Sequence, residues 1–137
     1  MELETAKDLP SLTVTVEPTQ MFFFSAATYN GHRIHYDRRW AMEMEGYPDV
    51  IVQGQLQAAL LARLVTDWMG PRGSLQEFTL QNRGAAFAGE TLEFGGRIES
   101  VQQLSGSDRK VHLVLEGRKT DGTVIMPGSA VVHVAES

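Results

Sequence analysis

The chemistry this chain can do is concentrated in one polar, ring-rich run, Thr28-Tyr29-Asn30-Gly31-His32-Arg33-Ile34-His35-Tyr36-Asp37. His35 has an imidazole, whose ordinary pKa suits taking and returning a proton near neutral pH. A lone histidine is ordinarily a structural or surface residue, and spacing by itself leaves both readings open. His32 stands three residues away, which raises a metal pair, yet Arg33 lies between the two and no third ligand type is placed nearby in sequence. No metal is expected. Arg33 is either an ion-pair partner or a contact for a phosphate or carboxylate. Asp37 reads as a helix cap, Tyr29 and Tyr36 as packing rings, and Phe22–Phe24 as core that can also wall a pocket. His112 and His133 fall at alternating strand positions and take no role. A second feature is Gly54, which opens the clearest helix in the chain. Free N–H groups at a helix N-terminus suit an oxygen that becomes negative, and glycine lets a ligand approach the main chain closely.

The elements that must position these residues follow from periodicity. Leu12–Val16 alternates apolar and β-branched residues and reads as a strand that Pro18 ends. Met21–Ala27 is apolar, and its pattern fits either a buried strand or a helical turn. Asp37 can cap a short helix over Arg38–Glu45 that stops at Gly46, with Pro48 beyond. Gly54 to about Met69 forms the main helix, closed by Gly70-Pro71 and apolar nearly all round, so it is expected to be buried on most sides. After Gly73 the chain reads as strand: Leu75–Asn82, Thr91–Leu104 with expected bulges at Gly95-Gly96, Lys110–Lys119, and Val124–Ala135. Thr120–Thr123 is a hairpin turn. One buried helix with several long antiparallel strands is an α+β arrangement.

Composition narrows the field. At 137 residues the chain fits a single domain spanning residues 1–137, with a loosely held leader over residues 1–10. The formal charge of −5 lacks a clustered basic face and argues against nucleic acid. With no cysteine there is no disulfide, thiolate nucleophile or cysteine metal site. No apolar run approaches the roughly 18 to 20 residues that span a bilayer. The acidic start, Met1-Glu2-Leu3-Glu4, lacks the basic-then-apolar order of a secretory signal. A cytoplasmic protein without membrane attachment is expected.

The run Phe24–Asp37, followed by Glu45-Gly46-Tyr47-Pro48-Asp49 and Val52-Gln53-Gly54-Gln55-Leu56, resembles the MaoC-like hydratase/dehydratase family. The resemblance is closest to the branch holding mesaconyl-CoA-type hydratases and fungal-synthase-like hydroxyacyl-thioester dehydratases. It covers residues 22–61 in motif and the rest in element order. It implies the hot-dog fold, a long antiparallel sheet wrapped around one central buried helix. It also implies hydration or dehydration of an enoyl or 3-hydroxyacyl thioester carried by coenzyme A or an acyl-carrier protein, with no separate cofactor.

In that family an acidic residue five positions before a histidine works with it around one water. Here the histidine is His35 and the position of the acid holds Asn30. An amide neither takes nor gives a proton near neutral pH, so Asn30 is left to orient water or the substrate hydroxyl while His35 carries the proton. The resemblance also places oxyanion donors at Gly54, although relatives usually read Val-His-Gly-Pro where this chain has Val52-Gln53-Gly54-Gln55. Tyr29, His32, Arg33, Gln53 and Gln55 are the candidate substrate contacts. A thioesterase of this fold usually relies on a carboxylate at or near the helix, and Gly54–Leu64 has none. A non-catalytic or helper subunit is the other alternative, kept open by Asn30 and Gln53. One hot-dog unit leaves a sheet edge and an apolar face, so a homodimer or a heteromer with a second hot-dog subunit is expected.

Overall fold

The computed structural model describes residues 2–135, so Met1 of the expected leader lies outside the described residues. Strand β1 (Leu12–Thr15) leads into helix α1 (Pro18–Ala27). Pro18 both ends the strand and starts the helix: at the first helical position its missing N–H is no loss and its φ is already set. Met21–Ala27 is thus helical, with Met21 and Ser25 facing inward and Phe22 and Phe23 facing out.

Helix α2 (Gly54–Met69) is followed by β2 (Gly73–Leu80), β3 (Thr91–Gln103), β4 (Arg109–Lys119) and β5 (Val124–Val134). The sheet runs β1-β3-β4-β5-β2, and every neighbouring pair is antiparallel. It curls around α2, giving the expected hot-dog fold. The helix buries Leu56, Leu60, Leu61, Leu64 and Val65, which join a core with Leu92, Phe94 and Ile98 of β3 and Val111, Leu113 and Leu115 of β4. Each such side chain contributes about 1.5–3 kcal/mol by leaving water. One narrow side of the helix stays outside. Gln55, Ala59, Arg63 and Asp67, four residues apart in turn, form an exposed stripe, and Arg63 pairs with Asp67 across one turn.

Three expectations change. The leader is not loose over its second half. Ala6 N–H donates to Ile98 O (2.7 Å), Leu9 N–H to Gly96 O (2.9 Å), and Ile98 N–H to Lys7 O (2.9 Å), while Leu9 is buried. The bulge in β3 falls between Ile98 and Ser100, whereas Gly95 and Gly96 keep regular register with Glu116 and Leu115. Gly96 instead gives room: a Cβ there would stand 2.7 Å from Leu115 Cδ2 and 3.5 Å from Leu9 Cδ2. The segment after Asp37 is wider than an α-helix, with a π-helical turn over Trp40–Met44 in which Glu45 N–H reaches back to Trp40 O (3.2 Å). Among the described residues no helix is long and apolar enough to cross a membrane.

Candidate functional site

His35 ends a single 3-10 turn, Arg33–His35, and is buried. The turn is clipped to the segment before α2 by two bonds: Ile51 N–H donates to Ile34 O (2.9 Å), and His35 Nδ1 lies 2.7 Å from Ile51 O. A carbonyl only accepts, so Nδ1 carries the proton and Nε2 is left with its lone pair. Burial holds the His35 pKa below its ordinary value; the Ile51 carbonyl opposes that shift and His32 adds to it. The neutral ring is therefore favoured, and neutral imidazole is the form that can accept a proton. Ile51 is three residues before Gly54, so one short segment ties His35 to the start of α2.

Asn30 is set by the way α1 ends. Tyr29 N–H donates to Ala26 O (3.3 Å) and Asn30 N–H to Ser25 O (2.9 Å), the paired bonds of a Schellman motif. The residue between is Tyr29 at φ +56°, a left-handed conformation that glycine usually supplies. Asn30 Oδ1 then accepts the His32 N–H (3.3 Å), and the His32 and His35 rings stand 5.9 Å apart. Asp37 acts as the expected cap: Oδ1 accepts the Trp40 N–H (3.0 Å), while Oδ2 takes Arg33 Nη2 (2.7 Å) and Nε (3.1 Å). The Trp40 N–H and then Arg33 hold the Asp37 carboxyl below its usual range. Arg33 also lies over the Trp40 ring at 4.1 Å, so its charge is already engaged.

At the start of α2 the first helical bond runs from Gln57 N–H to Gln53 O (3.1 Å), and no side chain caps the helix. The N–H groups of Gly54, Gln55 and Leu56 have no partner among the described residues. Gln53 is fully buried; its Nε2 donates to Met21 O (2.7 Å) and Ser25 Oγ (2.8 Å), which ties α1 to α2. The amide oxygens of Gln53 and of buried Gln57 have no partner among the described residues. Gln55 is exposed. Asn82, which the sequence did not single out, packs its side chain on Gly54: a Cβ there would stand 2.7 Å from Asn82 Nδ2. No local signal marks Asn82, because it arrives from the loop after β2.

Beside Asn30 lies an open cavity of about 470 Å³, lined by Phe22, Ser25, Ala26, Tyr29, Asn30 and Tyr36. Tyr29 is 98% exposed, and Tyr36 Oη donates to Gly31 O (3.0 Å). Among the described residues no cluster of three metal-ligating side chains forms. The site therefore offers one proton-accepting imidazole, one amide, a set of free N–H donors and an uncharged hollow.

The family model for hydroxyacyl-thioester dehydratase type 2 matches residues 2–88. A mesaconyl-C(4)-CoA hydratase of Chloroflexus aurantiacus is 48% identical over 64 residues, 47% of this chain but only 23% of that protein. The chain thus spans under a quarter of that relative's length in the matched region. The 3-oxo-4,17-pregnadiene-20-carboxyl-CoA hydratase beta subunit of Mycobacterium tuberculosis is 29% identical over 83% of this chain and 84% of its own length. The crystal structure of a MaoC-like dehydratase from Rhodospirillum rubrum superimposes with a TM-score of 0.79 at 18% identity, over 98% of this chain and 94% of that one, which shows the shared fold.

Proposed function

The chain belongs to the hydroxyacyl-thioester dehydratase type 2 family, and from that premise we propose that it adds water to, or removes it from, an enoyl/3-hydroxyacyl thioester of coenzyme A or an acyl-carrier protein. The observation that carries this reading is His35: a buried imidazole whose Nδ1 is committed to Ile51 O, three residues before Gly54, leaving Nε2 free to act as a base. In dehydration, Nε2 takes the α-proton of the 3-hydroxyacyl group. The electron pair moves toward the thioester carbonyl, whose oxygen becomes negative and accepts the Gly54 N–H. The C3–O bond then breaks, the imidazolium returns its proton to the departing hydroxyl, and water leaves. Hydration is the reverse, and His35 ends each cycle neutral. Asn30 holds the water or hydroxyl by hydrogen bonding, since its amide cannot move a proton. Tyr29 and Gln55, both exposed, are the proposed substrate contacts.

Asn30 in place of an acid favours one second reading, a helper subunit whose partner supplies the full catalytic pair. A thioesterase is less well supported: the acid on α2, Asp67, is exposed and paired with Arg63. The name of the beta-subunit relative fits a heteromer, and a homodimer is the alternative. The acidic, cysteine-free chain fits a cytoplasmic setting. The test follows loss of the conjugated thioester absorbance with enoyl-CoA substrates, on the wild type and His35→Ala. The wild type is expected to turn over at least one substrate, and the variant to lose about a hundred- to ten-thousand-fold. Full activity in His35→Ala overturns the assignment. A silent wild type that gains activity on mixing with a second hot-dog subunit establishes the helper reading instead. Light scattering should give a mass above the 15.2 kDa of one chain.

A further inference from the structure

We propose that the acyl group of the thioester is uncharged and apolar, and that it lies in the cavity under Phe22, Tyr29 and Tyr36; this rests on the hydratase reading above. The cavity touches Asn30 directly and, through Ser25, the segment that precedes α2. Asn30 forms part of its wall, and Ser25 at its base accepts a hydrogen bond from Gln53, the residue before Gly54. A thioester held at Gly54 with its β-carbon near Asn30 would extend its acyl tail into this hollow.

The lining is chemically one-sided. Phe22, Ala26 and Tyr29 follow one another at four- and three-residue steps along α1 and its cap, so one helix face presents apolar groups to the cavity. Phe22 meets Tyr36 edge-on across it at 6.4 Å. These rings are exposed although nothing in their own chain requires it, and Tyr29 holds its ring there from a left-handed backbone position that disfavours any side chain. Strain kept at an exposed aromatic beside a cavity fits a ring that contacts a ligand.

No cation answers a second carboxylate. Among the lining residues none is basic. Arg33, the nearest guanidinium in sequence, gives both its Nε and Nη2 to Asp37 and stacks on Trp40. His32 Nδ1 accepts the Ile34 N–H (3.4 Å), and its ring is not part of the cavity lining. A carboxylate entering this hollow would shed water with no counter-charge, which is strongly unfavourable. An alkyl or aryl group gains by the same transfer.

The experiment compares four enoyl-CoA thioesters on the full chain: trans-2-pentenoyl, glutaconyl, trans-2-octenoyl and cinnamoyl. Pentenoyl and glutaconyl share a five-carbon skeleton, one ending in methyl and the other in a carboxylate outside the conjugated system. The kcat/KM for pentenoyl should exceed that for glutaconyl by at least about a hundredfold, and octenoyl or cinnamoyl should have a lower KM than pentenoyl. Ala26→Arg, at an exposed helix position, should narrow the pentenoyl-to-glutaconyl ratio by about tenfold or more. Phe22→Ala should raise the KM for octenoyl more than that for pentenoyl. Equal turnover of glutaconyl and pentenoyl overturns the inference and leaves the hydratase reading standing. Turnover of none of the four overturns the hydratase reading, and the inference falls with it.

Discussion

Gly54→Ala separates the oxyanion role from any structural role of this glycine. The new methyl would start 2.7 Å from Asn82 Nδ2, with Asn82 Cγ at 3.3 Å and Oδ1 at 3.4 Å. That overlap is with the far end of an exposed side chain that makes no hydrogen bond among the described residues, so Asn82 can swing away. Its loop stays in place, because Gln81 N–H is held by Pro127 O (2.9 Å) and Arg83 N–H by Ile125 O (2.8 Å). Replacing glycine by alanine in a helix contributes up to about 1 kcal/mol, and the displaced contact costs a similar amount. Net stability should therefore stay within about 1 kcal/mol of the wild type. Activity is a different matter. A helical Cβ leans toward the N-terminus, where a thioester oxygen must come to meet the free N–H groups. Losing one oxyanion donor costs about 10²–10³ in kcat, or about 2.7–4 kcal/mol, and a methyl that keeps the carbonyl from this donor should cost as much. Thermal unfolding and steady-state hydration kinetics on the same preparation test both halves. Wild-type kcat/KM in Gly54→Ala refutes the role of this N–H. If Asn82→Ala alone reproduces the loss, the donor is Asn82; if Gly54→Ala/Asn82→Ala stays as impaired as Gly54→Ala while Asn82→Ala is active, the methyl itself is the obstruction.

Three more outcomes are expected. Asn30→Asp keeps the acceptor for the His32 N–H, so melting should barely move, and kcat/KM should hold or rise by up to about a hundredfold; a loss beyond tenfold would show that a carboxylate is not tolerated there. Because burial lowers the His35 pKa, kcat/KM should be flat above the ordinary histidine value of about 6.5 and fall only at lower pH. The unfolded chain binds the proton more readily, so stability should also be full above that value and decline as pH falls toward the folded pKa; an imidazole titration by NMR at or above 6.5 contradicts both. Tyr29→Gly relieves a left-handed side chain and should stabilise by about 1 kcal/mol in denaturant melts, while raising the KM for octenoyl-CoA; a lower stability would mean that the ring has packing the structure does not give it.

Alternation along Leu12–Val16 and in the four segments after Gly73, and helical spacing from Gly54, made the strands and the main helix legible, because side chains that share a face recur at the period of their own element. The same local logic placed Asp37 as a cap, and the motif from Phe24 to Leu56 pointed to the family. What sequence spacing leaves open is anything set by contact between distant segments. Composition made α2 look apolar nearly all round and buried on most sides; which side stays outside, Gln55, Ala59, Arg63 and Asp67, is set by the curl of the sheet. The two glycines in β3 looked like a bulge, but Gly96 is small because Leu115, its partner on β4, would stand 2.7 Å from a Cβ there. Which His35 nitrogen is free depends on Ile51 O, sixteen residues away. Arg33 reads equally as substrate contact or ion-pair partner until Asp37 and Trp40 are seen to hold it. Asn82 meets Gly54 only because the β2–β5 pairing carries its loop there. Periodicity reports the neighbours along one element; the curled sheet decides the neighbours across elements, and a site that draws on α1, the 3-10 turn, α2 and the loop after β2 is made of the second kind.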